Sequence, residues 1–199
     1  MSTALDTPIQ TTDEVGTTTI AGGDTQIALD PEFYQTLADL GIEINTAGIA
    51  MLGDEDDSLN LPITGGEITD ESIKEWMGMA ELEHSGSGLS LSRNGVTVEL
   101  DDWTLNTGTG DIHGSTLIRG MDNPRDISEL EPVLFTLAET ADLSAGLNTD
   151  STDEVLILDE ADILLTAEAA RLLNTAFSLD EGLNGDSLVG TATVRISTG

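Results

Sequence analysis

Two histidines, a single tyrosine and a run of four acids are the residues whose types and spacing invite chemistry. His84 lies in His84-Ser85-Gly86-Ser87-Gly88, which sets serines beside an imidazole as an acyl-transfer enzyme would. Activating a hydroxyl also needs a third group to orient the base, and flexible neighbours in one turn do not supply that geometry; no Gly-x-Ser-x-Gly elbow occurs. Paired carboxylates could cleave a glycosidic bond, but 38 Asp and Glu make any pair easy to find and none informative. Asp54-Glu55-Asp56-Asp57-Ser58-Leu59-Asn60 places side-chain oxygens at alternate positions, which makes Asp54, Asp56 and Asp57 candidate calcium ligands. Leu59 stands where an EF-hand needs Gly and Gly65 where it needs Glu, so the segment is an acidic turn or a looser cation site. His84 sits in the apolar phase of its strand and His113 out of phase with Ile112 and Ile118. Two histidines alone make a poor zinc site.

Composition narrows the function classes. The chain has 199 residues, 38 acidic against 6 basic, for a formal charge of −32. A field of that sign repels nucleic-acid phosphates and anionic headgroups, which excludes nucleic acid as a partner. Hydrophobic residues make up 38% and aromatics 3%, so aliphatic side chains must build the core. Without cysteine there are neither disulfides nor thiolate metal sites. No run of eighteen apolar residues occurs, and no membrane insertion is expected. The first residues lack the basic and apolar regions of a secretory signal, and the composition suits an exported protein. The expectation is an extracellular or cell-surface protein read as its mature segment.

These residues need a scaffold, and the clearest part of it is residues 88–118. Apolar and polar residues alternate on both sides of Asn94-Gly95, a dipeptide suited to a type I′ turn. Counting outward pairs Arg93 with Val96, Leu91 with Val98 and Leu89 with Leu100. The apolar phase then shifts from even, at Leu100, to odd, at Trp103 and Leu105, which predicts a β-bulge at Asp101-Asp102. Strands are also expected at 42–44, 48–52, 58–63, 80–84, 112–118, 133–137, 143–147, 155–158 and 188–196, with a turn at 64–67 and a helical piece at 70–77. Asp30-Pro31-Glu32 opens a helix whose apolar face is Phe33, Leu37 and Leu40 and which Gly41 stops. Without a gap, 163–177 repeats that strand, cap and helix, with Leu165 in the place of Leu29, Thr166 of Asp30 and Leu173 of Leu37. The fold expected is mainly β, an antiparallel β-sandwich or curled sheet with two or three short α-helices. Residues 1–19 read as a flexible arm or edge strand and 20–199 as one β-rich domain.

From Phe33 to about Ile118 the order of features resembles the Htaa domain of actinobacterial cell-surface haem-uptake proteins. The matching pieces are Phe33-Tyr34, Gly48-Ile49-Ala50, Leu61-Pro62-Ile63-Thr64-Gly65-Gly66, and the strand that runs from Gly78 through His84 to Leu89. In that family a helix tyrosine is the axial haem ligand and the motif histidine supports it. The resemblance implies Tyr34 and His84 for those roles, with haem as cofactor. The segment also looks like uncharacterised exported acidic β proteins, a likeness that implies no activity.

Residues alone support a non-catalytic, secreted or cell-surface β-rich module that acts by ligand binding or self-assembly, with copies of itself or cell-surface components as partners. An Htaa-like haem-binding domain is the second reading and a glycan-acting enzyme the third. The charge yields a test independent of all three: screening relieves repulsion among carboxylates, so the melting temperature should climb from about 0.1 M to molar NaCl. A melting curve that does not move with salt removes the claim.

Overall fold

A chain of short strands cut by glycine turns must pair each strand edge or expose it, and here the pairing runs almost full circle. The computed structural model describes residues 17–53, 58–69, 80–120, 131–138, 157–180 and 182–198. Its strands are β1 (Thr17–Leu29), β2 (Glu43–Gly48), β3 (Met51–Leu52), β4 (Ser58–Ile63), β5 (Gly65–Thr69), β6 (Ala80–His84), β7 (Ser87–Arg93), β8 (Val96–Asn106), β9 (Asp111–Arg119), β10 (Val133–Leu137), β11 (Ile157–Leu165) and β12 (Leu188–Thr198). Helices α1 (Pro31–Asp39) and α2 (Ala167–Phe177) follow β1 and β11. All pairs are antiparallel. Running β12-β11-β10-β9-β8-β6-β5-β1 and back to β12, the sheet curls until it closes on itself.

Two long strands make that closure possible by changing partners part-way along one edge. β1 pairs with β12 from Ile20 to Leu29, while its other edge meets β5 at Thr17 to Thr19 and β4 at Gly23 to Ala28. β8 pairs with β9 on one side; on the other it meets β7 from Val96 to Leu100 and β6 from Trp103 to Asn106. Its switch is the expected bulge: the register shifts between Asp101 and Thr104, and Asp102 takes φ 52°. Two wings, β4–β3 and β7–β2, branch from these switch points. The hairpin register is the one counted from the sequence, with Asn94 and Gly95 both at positive φ.

Aliphatic side chains fill the interior, joined by one tilted aromatic pair, Trp103 and Phe135, with ring centroids 5.2 Å apart. Gly114 on β9 makes room for it, since a Cβ there would come within 2.8 Å of the Trp103 ring and 2.7 Å of Leu134. The acids face outward. Glu67 and Glu81 stand directly opposite each other on β5 and β6, a like-charge cross-strand pair. Among the described residues the ion pairs are Arg119 with Glu99 and Arg195 with Asp24, both largely exposed.

Several expectations change. Gly65 and Gly66, expected in a turn, lie in β5, where Gly66 at φ 133° fits a backbone approach to Glu81 that a side chain would block. The strand expected at 48–52 shrinks to β3, because Gly48 turns the chain at φ 60°. Residues 155–158 and 163–165 are not separate strands: 157–165 is one strand, kinked where Glu160 takes φ 48° and the register shifts between Leu158 and Ala161. β1 begins at Thr17, inside the segment read as an arm or edge strand. The helical piece at 70–77 and the strand at 143–147 lie outside the described residues.

The two repeated units flank β12, which pairs with β1 on one side and β11 on the other. Each cap is the expected residue: Asp30 accepts from the N–H groups of Glu32 and Phe33, and Thr166 from that of Ala169. Neither helix carries a basic residue in its last turn. Arg93, beside the hairpin turn, supplies the cation for both. Its Nε donates to the Leu40 carbonyl at 2.7 Å and its Nη1 to the Phe177 carbonyl at 2.6 Å.

Hydrogen bonds from a charged donor contribute about 1.5–3 kcal/mol each. Arg93→Ala should therefore lower unfolding stability by about 3 kcal/mol in urea titration. Arg93→Lys should recover less than half of that, because an ammonium lacks the guanidinium's fork. A wild-type midpoint in Arg93→Ala would show that the helices need no such tie.

Candidate ligand-binding site

Tyr34 is where it is because of its neighbours. Asp30 and Pro31 set the start of α1, and Phe33 and Leu37, four residues apart, turn inward and are buried. One residue beyond Phe33 is a rotation of about 100°, so the Tyr34 ring faces outward and is 48% exposed. The helix ends in a Schellman turn: Gly41 at φ 69° donates to the Ala38 carbonyl at 2.9 Å, and Ile42 to that of Leu37 at 2.8 Å. Ile42 is thereby folded back beside Leu37, and β2 sets out at Glu43.

Between α1 and the start of β2 this turn leaves a groove of about 490 Å³. Leu37, Ile42 and Ile44 contribute aliphatic side chains to its lining, and Tyr34, Ala38, Glu43 and Asn45 complete it. That volume is within the usual range for a small-molecule site, about 300–1,000 Å³. A phenol beside this groove of mixed polar and aliphatic lining offers one hard, anionizable oxygen. Farther along, Ile49, Met51 and Leu52 are 53%, 57% and 63% exposed, an apolar group where β2 passes into β3.

His84 is not in this groove. It ends β6 on the inward face, in phase with Ala80 and Leu82, and is only 2% exposed. Its Nδ1 lies 3.3 Å from the Trp103 carbonyl and its Nε2 lies 2.8 Å from the Thr25 hydroxyl. A carbonyl only accepts, so Nδ1 carries the proton and Nε2 accepts from Thr25. Both ring nitrogens are thus engaged, neither of them with Tyr34. Burial pushes the imidazole down to about 4, against a smaller upward pull from the backbone of Trp103 and Leu82.

The remaining candidates separate further. Asp54, Asp56 and Asp57 lie outside the described residues. His113 is on β9, where its Nδ1 faces the Glu131 carbonyl at 3.5 Å. Among the described residues no three His, Asp or Glu side chains converge as a metal site would require. Sequence reasoning missed Thr25, Asp102 and Arg93. Thr25 shares the buried face of β1 with Ile27 and Leu29, and a hydroxyl in an apolar stripe is a legible sign of a buried partner. Asp102 accepts from the Gly86 N–H at 2.7 Å and the Ser115 hydroxyl at 3.2 Å, fastening the bulge to the turn after His84. No local pattern announces that contact.

No protein-family model and no curated protein matches the sequence. Among solved structures, the fold resembles the C-terminal domain of HtaA from Corynebacterium glutamicum, with a TM-score of 0.58 at 11% identity, over 92% of this chain and 99% of that one. It also resembles the heme binding protein HtaB from the same organism, with a TM-score of 0.51 at 10% identity, over 92% of this chain and 96% of that one. Identity this low speaks for the fold alone. The fold likeness agrees with the Htaa-like order of features in the sequence and extends it to nearly the whole chain. No helix among the described residues is long and apolar enough to cross a membrane.

The buried imidazole has a measurable consequence. Below pH 6.5 an unfolded chain protonates His84 while the folded protein does not until about pH 4. Stability from this group is therefore complete above 6.5 and is lost as pH falls toward 4, by about 3 kcal/mol in all. Carboxylates titrate in the same window, so the quantity to measure is the stability of the wild type minus that of His84→Gln, by urea titration at each pH. The difference should shrink from pH 7 to pH 4. A constant difference would mean that His84 titrates at the same pH in the folded and the unfolded chain.

Proposed function

We propose that this protein is a haem-binding module of the cell surface that acts by binding rather than by catalysis and takes haem in the α1–β2 groove with Tyr34 as its axial ligand. The observation that carries the reading is the placement of the sole tyrosine: an exposed phenol beside a groove of mixed polar and aliphatic lining, on a fold shared with a heme binding protein. That combination favours haem over the assembly role suggested by composition.

The residues present fit the group. What haem supplies is a ferric iron with an axial position that a tyrosine oxygen can take. Tyr34 offers that oxygen, and its outward direction is fixed by the burial of Phe33, one residue before it, and of Leu37, three residues after it. Ile44, half-buried in the lining over Leu37 and Ile42, offers apolar contact to a macrocycle. His84 serves the site indirectly: with Thr25 and Trp103 it holds the end of β6 and the second half of β8 against β1, the strand that leads into α1.

Titrating the protein with haemin should produce a shifted, saturable Soret band. Tyr34→Phe should abolish the charge-transfer band of a phenolate-bound ferric iron and weaken binding at least tenfold, about 1.4 kcal/mol. No Soret change on mixing, or an unchanged spectrum in Tyr34→Phe, overturns the assignment. Because Tyr34 is exposed, the variant should melt as the wild type does, which keeps loss of binding apart from loss of fold.

A further inference from the structure

Resting on the haem reading, a second question is which part of the ligand enters the groove. Haem carries two propionates at one edge of an otherwise apolar ring, so a site must either neutralise that edge or leave it in water. Sites that draw in carboxylates do so with Arg or Lys, bidentate where the geometry allows.

This groove has neither. Its charged lining residue is Glu43, and the last turn of α1 carries a second exposed acid, Asp39, whose carboxylate accepts from Gln35 at 2.8 Å. The guanidinium of Arg93 reaches the back of the same turn but is not part of the lining, and it is committed to the carbonyls of Leu40 and Phe177. Behind these local charges lies a net −32. The polar groups facing the ligand, the Tyr34 phenol and the Asn45 amide, can bind iron or donate one hydrogen bond but cannot neutralise a dianion.

We propose that the groove admits the uncharged edge of the macrocycle, that the propionates stay outside in solvent, and that the site therefore prefers an iron porphyrin whose side chains carry no negative charge. Glu43 sets this preference. It belongs to the lining at the first position of β2, where the strand pairs with Ser92 on β7. Repulsion between the chain and the propionates makes the affinity for haem dependent on screening: weakest at low salt and stronger as salt rises, the reverse of a site that uses cations.

The test is a Soret titration of the full chain with haemin and with its dimethyl ester, in the same mixed solvent, at low and at molar NaCl. The ester should bind about two- to threefold tighter at low salt, the size expected for one unit charge several ångströms away in water, and the two should converge at high salt. Glu43→Gln, an exposed substitution at a strand start, should narrow the low-salt difference by raising haemin affinity. If haemin binds tighter than the ester, or loses affinity as salt rises, a cation receives the propionates and the inference is wrong while the haem reading stands. If neither compound binds, the haem reading itself falls and takes this inference with it.

Discussion

One guanidinium ties the candidate site to the sheet. Arg93 leaves the tip of the β7–β8 hairpin and gives one hydrogen bond to the end of α1 and another to the end of α2. Both helices end without a cation of their own, so the negative ends of two dipoles converge on a single side chain. In a chain with 6 basic residues and 38 acidic ones, a cation placed there is one withheld from the surface. The Leu40 carbonyl it holds is one residue from Gly41, the pivot of the turn that makes the groove. Hairpin tip, helix ends and the turn that makes the groove are therefore hydrogen-bonded to one another.

The hairpin can reach that position because β8 changes partners. At Asp101-Asp102 an extra residue bends the strand, frees its first half to pair with β7 and aims Trp103 at Phe135. The indole Nε1 then donates to the Leu100 carbonyl at 2.9 Å, so the bulge satisfies the one polar atom of the largest core side chain. The Trp103 carbonyl receives His84, which in turn receives Thr25 from β1. A chain of bonds thus runs from one partner-switching strand to the other through the interior. Among the described residues, the buried hydroxyls of Ser87 and Thr116 have no hydrogen-bond partner.

Acidity and ligand choice are connected. One carboxylate, Glu43, lines the groove and no Arg or Lys does, so under the proposed reading the same acidity that charges the surface bears on which edge of an amphiphilic ring enters. The fold shared with the HtaA domain and HtaB does not dictate this, because it constrains the positions of backbone elements and leaves the rim to the local sequence.

Local rules determined much of the architecture. Asn94-Gly95 defined a turn, alternation defined the register of its strands, and a phase change marked the bulge. Asp30 and Thr166 capped the helices, and the burial of Phe33 and Leu37 sent Tyr34 outward. All of these depend on residues within about one turn or one strand pair of each other, where spacing and geometry coincide. What needed the tertiary structure was of longer range. Closure of the sheet requires β1 to meet β12, far apart in sequence, and no periodicity encodes a partner. The repeat at 163–177 was legible, but not that both copies would flank β12. His84 looked like a site residue beside Tyr34 because both fell in one resembling stretch. Its ring instead turns to Thr25, 59 positions away, because an inward-facing imidazole at the end of β6 finds its acceptor and donor in the strands folded over it. Sequence decided which face each side chain takes, and only the closed sheet decided what that face meets.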